Sequence, residues 1–104
     1  MDYSFFDFIV LPVDKSIALQ DYRTFLRELR TARKQSGLTQ VDLAERLRET
    51  QSFVSKCERG ERRLDIMELR AFCAAMGISF SEFARRLDKK LSPAQAPRIR
   101  RRNR

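Results

Sequence analysis

Residues 38–60 constrain the fold of this chain more than any other stretch, because two short amphipathic helices are predicted there with only three residues between them. The first is predicted over residues 40–47, with Thr39 directly before it as the N-cap. Its apolar residues recur at three- and four-residue spacings, which bring side chains onto one helical face. They are Leu43, Ala44 and Leu47. We therefore expect two helices held at a fixed angle by a tight connection.

The second helix, predicted over residues 51–59, buries very little. The same periodicity places only Val54 and Cys57 on its inner face. Core packing alone does not explain a helix that exposes amides, hydroxyls and basic groups, whereas a surface that contacts another molecule does. The exposed set is Gln51, Ser52, Ser55, Lys56 and Arg59.

Three patterns in this region carry a resemblance to a known family. They are LTQ-x-x-LA-x-x-L from residue 38, TQS-x-V-S from residue 50 and ERG from residue 58. Over residues 23–91 the chain resembles the Cro-type, phage-repressor-like helix-turn-helix regulators. The resemblance implies an all-α, compact five-helix DNA-binding domain whose third helix enters the major groove.

Three regions are predicted: an N-terminal arm at residues 1–20, the helix-turn-helix domain at residues 21–91 and a basic tail at residues 92–104. A chain of 104 residues with 42% apolar content has room for one modest core. The tail, which ends in RIRRRNR, has too little apolar content to order itself and is predicted to be disordered. It either keeps the protein soluble or binds phosphates.

The net charge of +8 and the pI near 10.3 point to an acidic polymer as the partner. The distribution of charge is uneven. Residues 1–22 carry one basic and four acidic side chains, residues 23–91 carry sixteen and ten, and residues 92–104 carry five and none. The basic character therefore lies in the domain and tail that we expect to meet DNA.

We expect a cytoplasmic protein with no membrane partner. No stretch approaches the roughly 18 apolar residues that a membrane span needs. The apolar run at residues 8–13 is short and contains Pro12, and Asp2 and Asp7 stand where a signal peptide carries positive charge. The two cysteines fall in helical segments and fit small buried side chains in a reducing compartment.

We do not expect an enzyme. The chain has no histidine, and it shows neither a glycine loop of the phosphate-binding type nor a metal-ligand spacing. We therefore predict no catalytic residues, no metal site and no cofactor.

The aromatic stretch at residues 3–19 is the least regular part of the chain. It lacks a helical or alternating period, and Pro12 interrupts any strand there. Two interpretations stay open. The stretch packs across the domain and enlarges a small core, or it contacts a protein partner or a second copy, since exposed aromatic patches mark interfaces.

The remaining helices are predicted at residues 21–35, ending before Gly37, at residues 66–76 between Asp65 and Gly77, and from Ser79 or Ser81 onward. Relatives of the resembled family commonly dimerise through the last helix, which otherwise faces the core. The predicted inward side chains are Tyr22, Phe25 or Leu26, Leu29 and Ala32; Ile66, Leu69, Phe72, Cys73 and Met76; and Phe80, Phe83, Ala84, Leu87 and Leu91.

The resemblance also implies roles for particular residues. An arginine at the position of Arg33 pairs with a glutamate at the position of Glu58 and ties the first helix to the third. At the position of Gln40 the family has a glutamine that grips a phosphate and braces the first glutamine of the third helix, here Gln51.

Gln51 and Ser52 are the predicted base contacts, because the N-terminal residues of a recognition helix meet base edges. Glutamine presents a donor and an acceptor together to adenine N6 and N7, whereas serine discriminates less. Lys56, one turn later, reaches guanine or a phosphate. Ser55 lies on the same exposed face, and we count it among the DNA-binding residues.

Arg59 and Arg62 follow the third helix, where relatives touch the DNA backbone, and are predicted phosphate contacts; the alternative is that they are solvated arginines of a charged surface. Two positions depart from the family pattern. Arg48 stands where relatives often have glycine, so we expect a slightly remodelled turn. Phe53 replaces a smaller residue, and either contacts thymine methyl groups or packs against the second helix.

The predicted function is that of a sequence-specific DNA-binding transcriptional regulator, a repressor that occupies duplex DNA as a homodimer. Two alternatives remain. One is an antitoxin that binds a toxin through the N-terminal arm and represses its own operon. The other is an adaptor that binds protein or RNA.

Overall fold

The computed structural model describes residues 15–93, and five helices account for most of this range. They are α1 (Lys15–Gln35), α2 (Gln40–Leu47), α3 (Gln51–Arg59), α4 (Ile66–Met76) and α5 (Phe80–Lys90). These residues include no strand, and the predicted all-α, five-helix fold is confirmed. Most of the predicted arm and tail, at residues 1–14 and 94–104, lies outside the described residues.

The first helix is longer than predicted, since α1 begins at Lys15 rather than at Asp21. Leu19 extends the stripe formed by Tyr22 and Leu26 by one turn, at the spacing of a single helical face. The irregular aromatic run farther upstream hides this period in the sequence. The predicted boundary between arm and domain therefore falls inside a helix.

Local side-chain chemistry sets the other helix ends. Thr39 and Asp65 cap α2 and α4, each with the reciprocal pair of hydrogen bonds of a capping box. Ser79 caps α5, which settles the start of that helix. Gly60 and Gly77 end α3 and α4 in the left-handed conformation that glycine adopts easily. The predicted caps at Thr39, Asp65 and Gly77 are confirmed.

The core forms where α2 packs against α3 and α4, α1 against α3 and α5, and α4 against α5. The helix α3 is thus supported by α1 and α2 on its apolar side, and its polar side stays exposed. The buried apolar residues are Leu29, Ala32, Leu43, Ala44, Val54, Cys57, Phe72, Cys73, Met76 and Phe83.

Two predicted core positions are wrong. Ile66 is 62% exposed because it lies in the first turn of α4, which enters the core only from Leu69 onward. Ala84 is exposed because the core side of α5 at that level is taken by Phe83. The other members of the two predicted stripes are buried or pack against the buried cluster, except that Leu91 is partly buried at the end of α5.

The connection between α2 and α3 keeps a left-handed residue although that residue is Arg48, with φ 60° and ψ 42°. The Arg48 N–H donates to the carbonyl of Glu45, and the Glu49 N–H donates to the carbonyl of Ala44 at 2.9 Å. These bonds close the end of α2 in the usual way. The expected remodelling of the turn is therefore wrong, and the strain is held at one residue.

We expect Arg48→Gly to stabilise the domain by about 1 kcal/mol, because a non-glycine residue in this conformation costs about 1–2 kcal/mol and glycine loses some of that gain as chain entropy. Urea denaturation measures the change. Glu45→Gly, inside α2, is the matched control and should destabilise by about 0.5–1 kcal/mol. A loss of stability in Arg48→Gly would show that the arginine side chain contributes more than its backbone strain costs.

Candidate nucleic-acid interface

The first two residues of α3, Gln51 and Ser52, are exposed. Thr50 caps the helix by accepting a hydrogen bond from the Phe53 N–H at 3.0 Å. The buried residues of α3 are Val54, Cys57 and Glu58. Burial raises the pKa of the Cys57 thiol to about 11, so this cysteine is a neutral packing residue. The helix therefore presents a polar surface with a rigid apolar base.

A buried ion pair connects α1 to α3. The Arg33 guanidinium donates to the Glu58 carboxylate through two nitrogens, at 2.6 and 3.0 Å. A third nitrogen of Arg33 donates to the carbonyl of Leu38 at 3.0 Å, just before α2. Only 7% of Arg33 and 1% of Glu58 is exposed. The predicted pair is confirmed. Together with the bond to Leu38, it connects α1 to α3 and to the segment just before α2.

Two further side chains converge on the same carboxylate. Gln40 Nε2 donates to Glu58 Oε1 at 3.0 Å, and Arg30 lies 3.6 Å from that oxygen while also donating to the Glu58 carbonyl. Burial raises the pKa of Glu58, but the hydrogen bonds from Arg33 and Gln40 and the nearby positive charges outweigh it, so the pKa lies below its ordinary value. The three-residue spacing between Arg30 and Arg33 places both on the side of α1 that faces Glu58.

The hydrogen bonds around Glu58 extend to Gln51, the first residue of α3. Gln51 Nε2 donates to Gln40 Oε1 at 3.1 Å, and Gln40 in turn donates to Glu58. Arg33, Glu58, Gln40 and Gln51 therefore form one chain of contacts, which we call the glutamine relay. Among the described residues Gln51 makes no other side-chain hydrogen bond, so its carbonyl oxygen and second amide hydrogen face solvent. The relay fixes the orientation of an exposed amide from inside the protein.

Ser52 and Lys56 lie beside Gln51 on the exposed side of α3. Within the described part of the chain neither side chain has a hydrogen bond or an ion pair. Their spacing of four residues places them on the same helical face. Both are therefore available to an external ligand without loss of an internal contact.

Ser55 and Arg59, by contrast, are engaged within the protein. The Arg59 guanidinium donates to the Ser55 hydroxyl and makes two bonds to the Glu61 carboxylate, at 3.0 and 3.1 Å. The hydrogen bond from Arg59 holds the pKa of Glu61 below its usual value. The structure thus brings these two predicted site residues together, with a carboxylate already bound to the arginine.

Arg62 is also paired with a carboxylate. It makes two bonds to Glu68, at 2.7 and 2.9 Å, and its guanidinium carbon lies 4.9 Å from the centre of the Phe53 ring. Phe53 in turn packs against Phe72 of α4, with ring centres 6.1 Å apart. Phe53 therefore packs within the protein, but its ring contact is with α4, whereas the packing interpretation named the second helix.

The Arg59–Glu61 and Arg62–Glu68 ion pairs hinder the binding of an external anion only slightly. About half of the Arg59 side chain and 43% of the Arg62 side chain are exposed. Ion pairs at such exposed positions contribute little to stability, because solvent screens them. A phosphate can therefore replace either carboxylate at small cost.

Comparison with known proteins identifies the family. The helix-turn-helix family HTH_3 matches residues 29–83, which is more than half of the chain. This chain belongs to the HTH_3 family. Its resemblance to Cro-type and phage-repressor-like regulators is confirmed, and it is a DNA-binding transcriptional regulator.

A solved structure gives the same assignment. The HTH_3 protein is 41% identical to an XRE-family like protein from Pseudomonas syringae pv. tomato, with a TM-score of 0.68. The match covers 73% of this chain and 93% of that chain. No curated protein matches this one.

Two further contacts connect the first and last helices of the HTH_3 domain, and the sequence pattern predicts neither of them. Lys90 Nζ donates to the buried carboxylate of Glu28 at 2.6 Å, and the Ser92 N–H donates to Asp21 at 3.1 Å. Both bonds join the end of α5 to α1. Because 62 positions separate Glu28 from Lys90, no local pattern predicts this pair.

None of the five helices has the length and apolar content that a membrane crossing requires.

Proposed function

We propose that this HTH_3 protein recognises a specific duplex DNA sequence by placing the N-terminal end of α3 in the major groove, and that it acts as a repressor by occupying that site. The glutamine relay carries the proposal. A surface amide that is oriented by a buried ion pair is costly to arrange for solubility alone, and it suits a contact that must have a fixed geometry. The exposed and unengaged Ser52 and Lys56 extend the same surface.

The chemistry of Gln51 fits adenine. Its carbonyl oxygen accepts from the adenine N6 amino group, and its second amide hydrogen donates to N7, while the first remains bonded to Gln40. Ser52 contacts either kind of base, and Lys56 reaches guanine or a phosphate. Preorganisation by the relay lowers the entropy that Gln51 loses on binding, which favours this contact over those of freely rotating side chains.

Phosphates then position the domain. Gln40 lies in the first turn of α2, where backbone N–H groups favour an anion, and its amide keeps one hydrogen beyond the bond to Glu58. Arg59 and Arg62 bind phosphates by exchanging Glu61 and Glu68 for them. Ser55 supports Arg59 rather than contacting DNA alone. These contacts fix the register of α3 without reading sequence.

We propose a homodimer as the DNA-bound form. In this docking mode dimers bind two half-sites about 10–10.5 base pairs apart, and the operator repeats the two-fold symmetry of the protein. An α5 interface is the expected geometry for the resembled family. A single domain offers one short recognition helix, so two copies double the number of base contacts.

Selection of bound fragments from a random duplex pool tests both parts of the proposal. We expect an enriched pseudo-palindrome, protection of both half-sites in footprints, and binding of the selected duplex at least about 10³-fold tighter than of competitor duplex. A promoter that overlaps the selected site should lose activity when the protein is present. Enrichment of no sequence would contradict specific recognition. A footprint on one asymmetric half-site by a monomeric protein would contradict the dimer.

A further inference from the structure

A groove of about 250 Å³ runs between α1 and the end of α3. Its apolar lining is Leu19, Tyr22 and Leu26, and its charged lining is Arg23, Arg59 and Arg63. No carboxylate is among the described residues that line it, although Arg59 is bonded to Glu61 nearby. The groove therefore suits an apolar segment that carries negative charge at its end.

The base of the groove is rigid. A Cβ atom at Gly60 would lie 2.9 Å from the Leu26 side chain, so the end of α3 already touches α1 there. Leu19 lies seven residues before Leu26, two helical turns along the same face, and is 37% exposed. The apolar strip thus begins close to the start of α1 and ends at α3.

We propose that residues 7–14 of this same chain occupy the groove. Residues 1–14 contain three aspartates and no lysine or arginine, and residues 8–13, FIVLPV, are apolar throughout. An acidic and apolar segment directly precedes the helix that forms one wall of an apolar and basic groove. The charges and the apolar content are complementary, and the segment is covalently attached beside the site.

The length of the segment fits as well. From Lys15 to Leu26, α1 rises by about 17 Å at 1.5 Å per residue. A chain that runs back along the helix covers this distance in about five extended residues, at about 3.3 Å each. On the proposed path, residues 7–14 supply these five residues and leave three for the reversal of the chain before α1, which brings Asp7 to the level of Arg59 and Arg63. Pro12 favours the extended backbone that this path requires, because it disfavours a helical residue before it.

The covalent attachment of residues 7–14 favours them over a second copy of the chain as the occupant of the groove. A segment of the same chain binds at the high effective concentration of a tethered ligand, whereas a second copy must pay the full entropy of association. The groove thereby links the aromatic segment to the base of the recognition helix, through Arg59 and Arg63. This inference does not depend on which DNA sequence the protein binds.

Paramagnetic broadening in the full chain tests the proposal. Ser4→Cys carries a nitroxide label, and the native Cys57 and Cys73 escape labelling because each is only 1% exposed. We expect the amides of residues 22–26 and 59–63 to lose most of their signal and to recover it when the label is reduced. The amides of Leu47 and Ala71, which line a pocket between α2 and α4, helices that do not form the groove, should keep their signals.

Matched variants separate docking from random collisions. Leu19→Lys should abolish the broadening, whereas Gln20→Lys, at the neighbouring exposed position, should leave it intact. Arg63→Glu should weaken the broadening, and adding Asp7→Lys should restore it. Circular dichroism confirms that each variant is folded.

Three outcomes would overturn the proposal. The first is weak, uniform broadening in the labelled protein, and the second is broadening that Leu19→Lys does not change. The third comes from a mixture of spin-labelled protein with isotope-labelled protein that carries no spin label. Broadening of the groove in that mixture would mean that a second copy supplies the segment.

Discussion

Glu58→Gln is expected to destabilise the domain by about 3–5 kcal/mol, because it leaves the buried Arg33 guanidinium without a compensating charge. The carboxylate receives two bonds from Arg33 and one from Gln40, and glutamine cannot accept all of them through a single oxygen. Small domains are stable by only about 5–15 kcal/mol, so the loss is a large fraction of the total. Urea denaturation followed by circular dichroism measures it.

The control removes both charges together. Arg33→Met with Glu58→Leu should be markedly more stable than either single variant, since an apolar pair of similar volume needs no desolvated charges. A double variant as unstable as Glu58→Gln would show that the geometry of the site, rather than an unpaired charge, determines the loss.

The pH dependence of stability gives an independent check on Glu58. Its pKa in the folded protein is lowered from 4.5, mainly by hydrogen bonds and positive charges that outweigh burial. The wild-type contribution is therefore fully present above about pH 4.5 and is lost as the pH falls through the folded pKa. Denaturation midpoints between pH 3 and pH 7 should show a smaller acid loss in Glu58→Gln than in the wild type. Equal acid sensitivity would argue against the assigned shift.

Gln51→Ala is the substitution with the largest expected effect on DNA recognition. Each good base contact contributes about 1–3 kcal/mol of discrimination, which corresponds to a loss of about 5- to 150-fold on the selected duplex. Ser52→Ala should lose less, because a serine contact discriminates less. Binding to random duplex should be nearly unchanged for both, since phosphate contacts provide it. Titrations on both DNAs at one fixed salt concentration measure the ratio.

Two comparisons sharpen this prediction. Gln20→Ala, an exposed glutamine of α1, should leave both affinities unchanged. Gln40→Ala should reduce specificity although Gln51 is intact, and the double variant should lose less than the sum of the two, because the relay couples them. Equal losses on selected and random duplex would contradict a base-reading role for Gln51.

Much of the fold was predictable because it depends on near neighbours in sequence. The boundaries of α2, α3 and α4 follow from caps such as Thr39 and Asp65, whose bonds reach three residues along the chain, and from Gly77, whose backbone tolerates the left-handed region. The resemblance supplied the pairing of Arg33 with Glu58. The position of Gln51 next to Gln40 was implied in the same way.

The sequence by itself determined the five-helix class, the α2–α3 unit and its polar exposed face, since periodicity and capping act within one or two helical turns. Only the tertiary structure decided which partners the charged side chains take. Arg59 and Arg62 bind Glu61 and Glu68 through exposed ion pairs, which contribute too little to stability to leave a pattern in the sequence. Lys90 binds the buried carboxylate of Glu28, but 62 positions separate the two residues, so no local pattern predicts the pair. The exposure of Ile66 was likewise decided by packing, because amphipathic periodicity marks a face of a helix but not the point along its axis where a neighbouring helix begins to cover it.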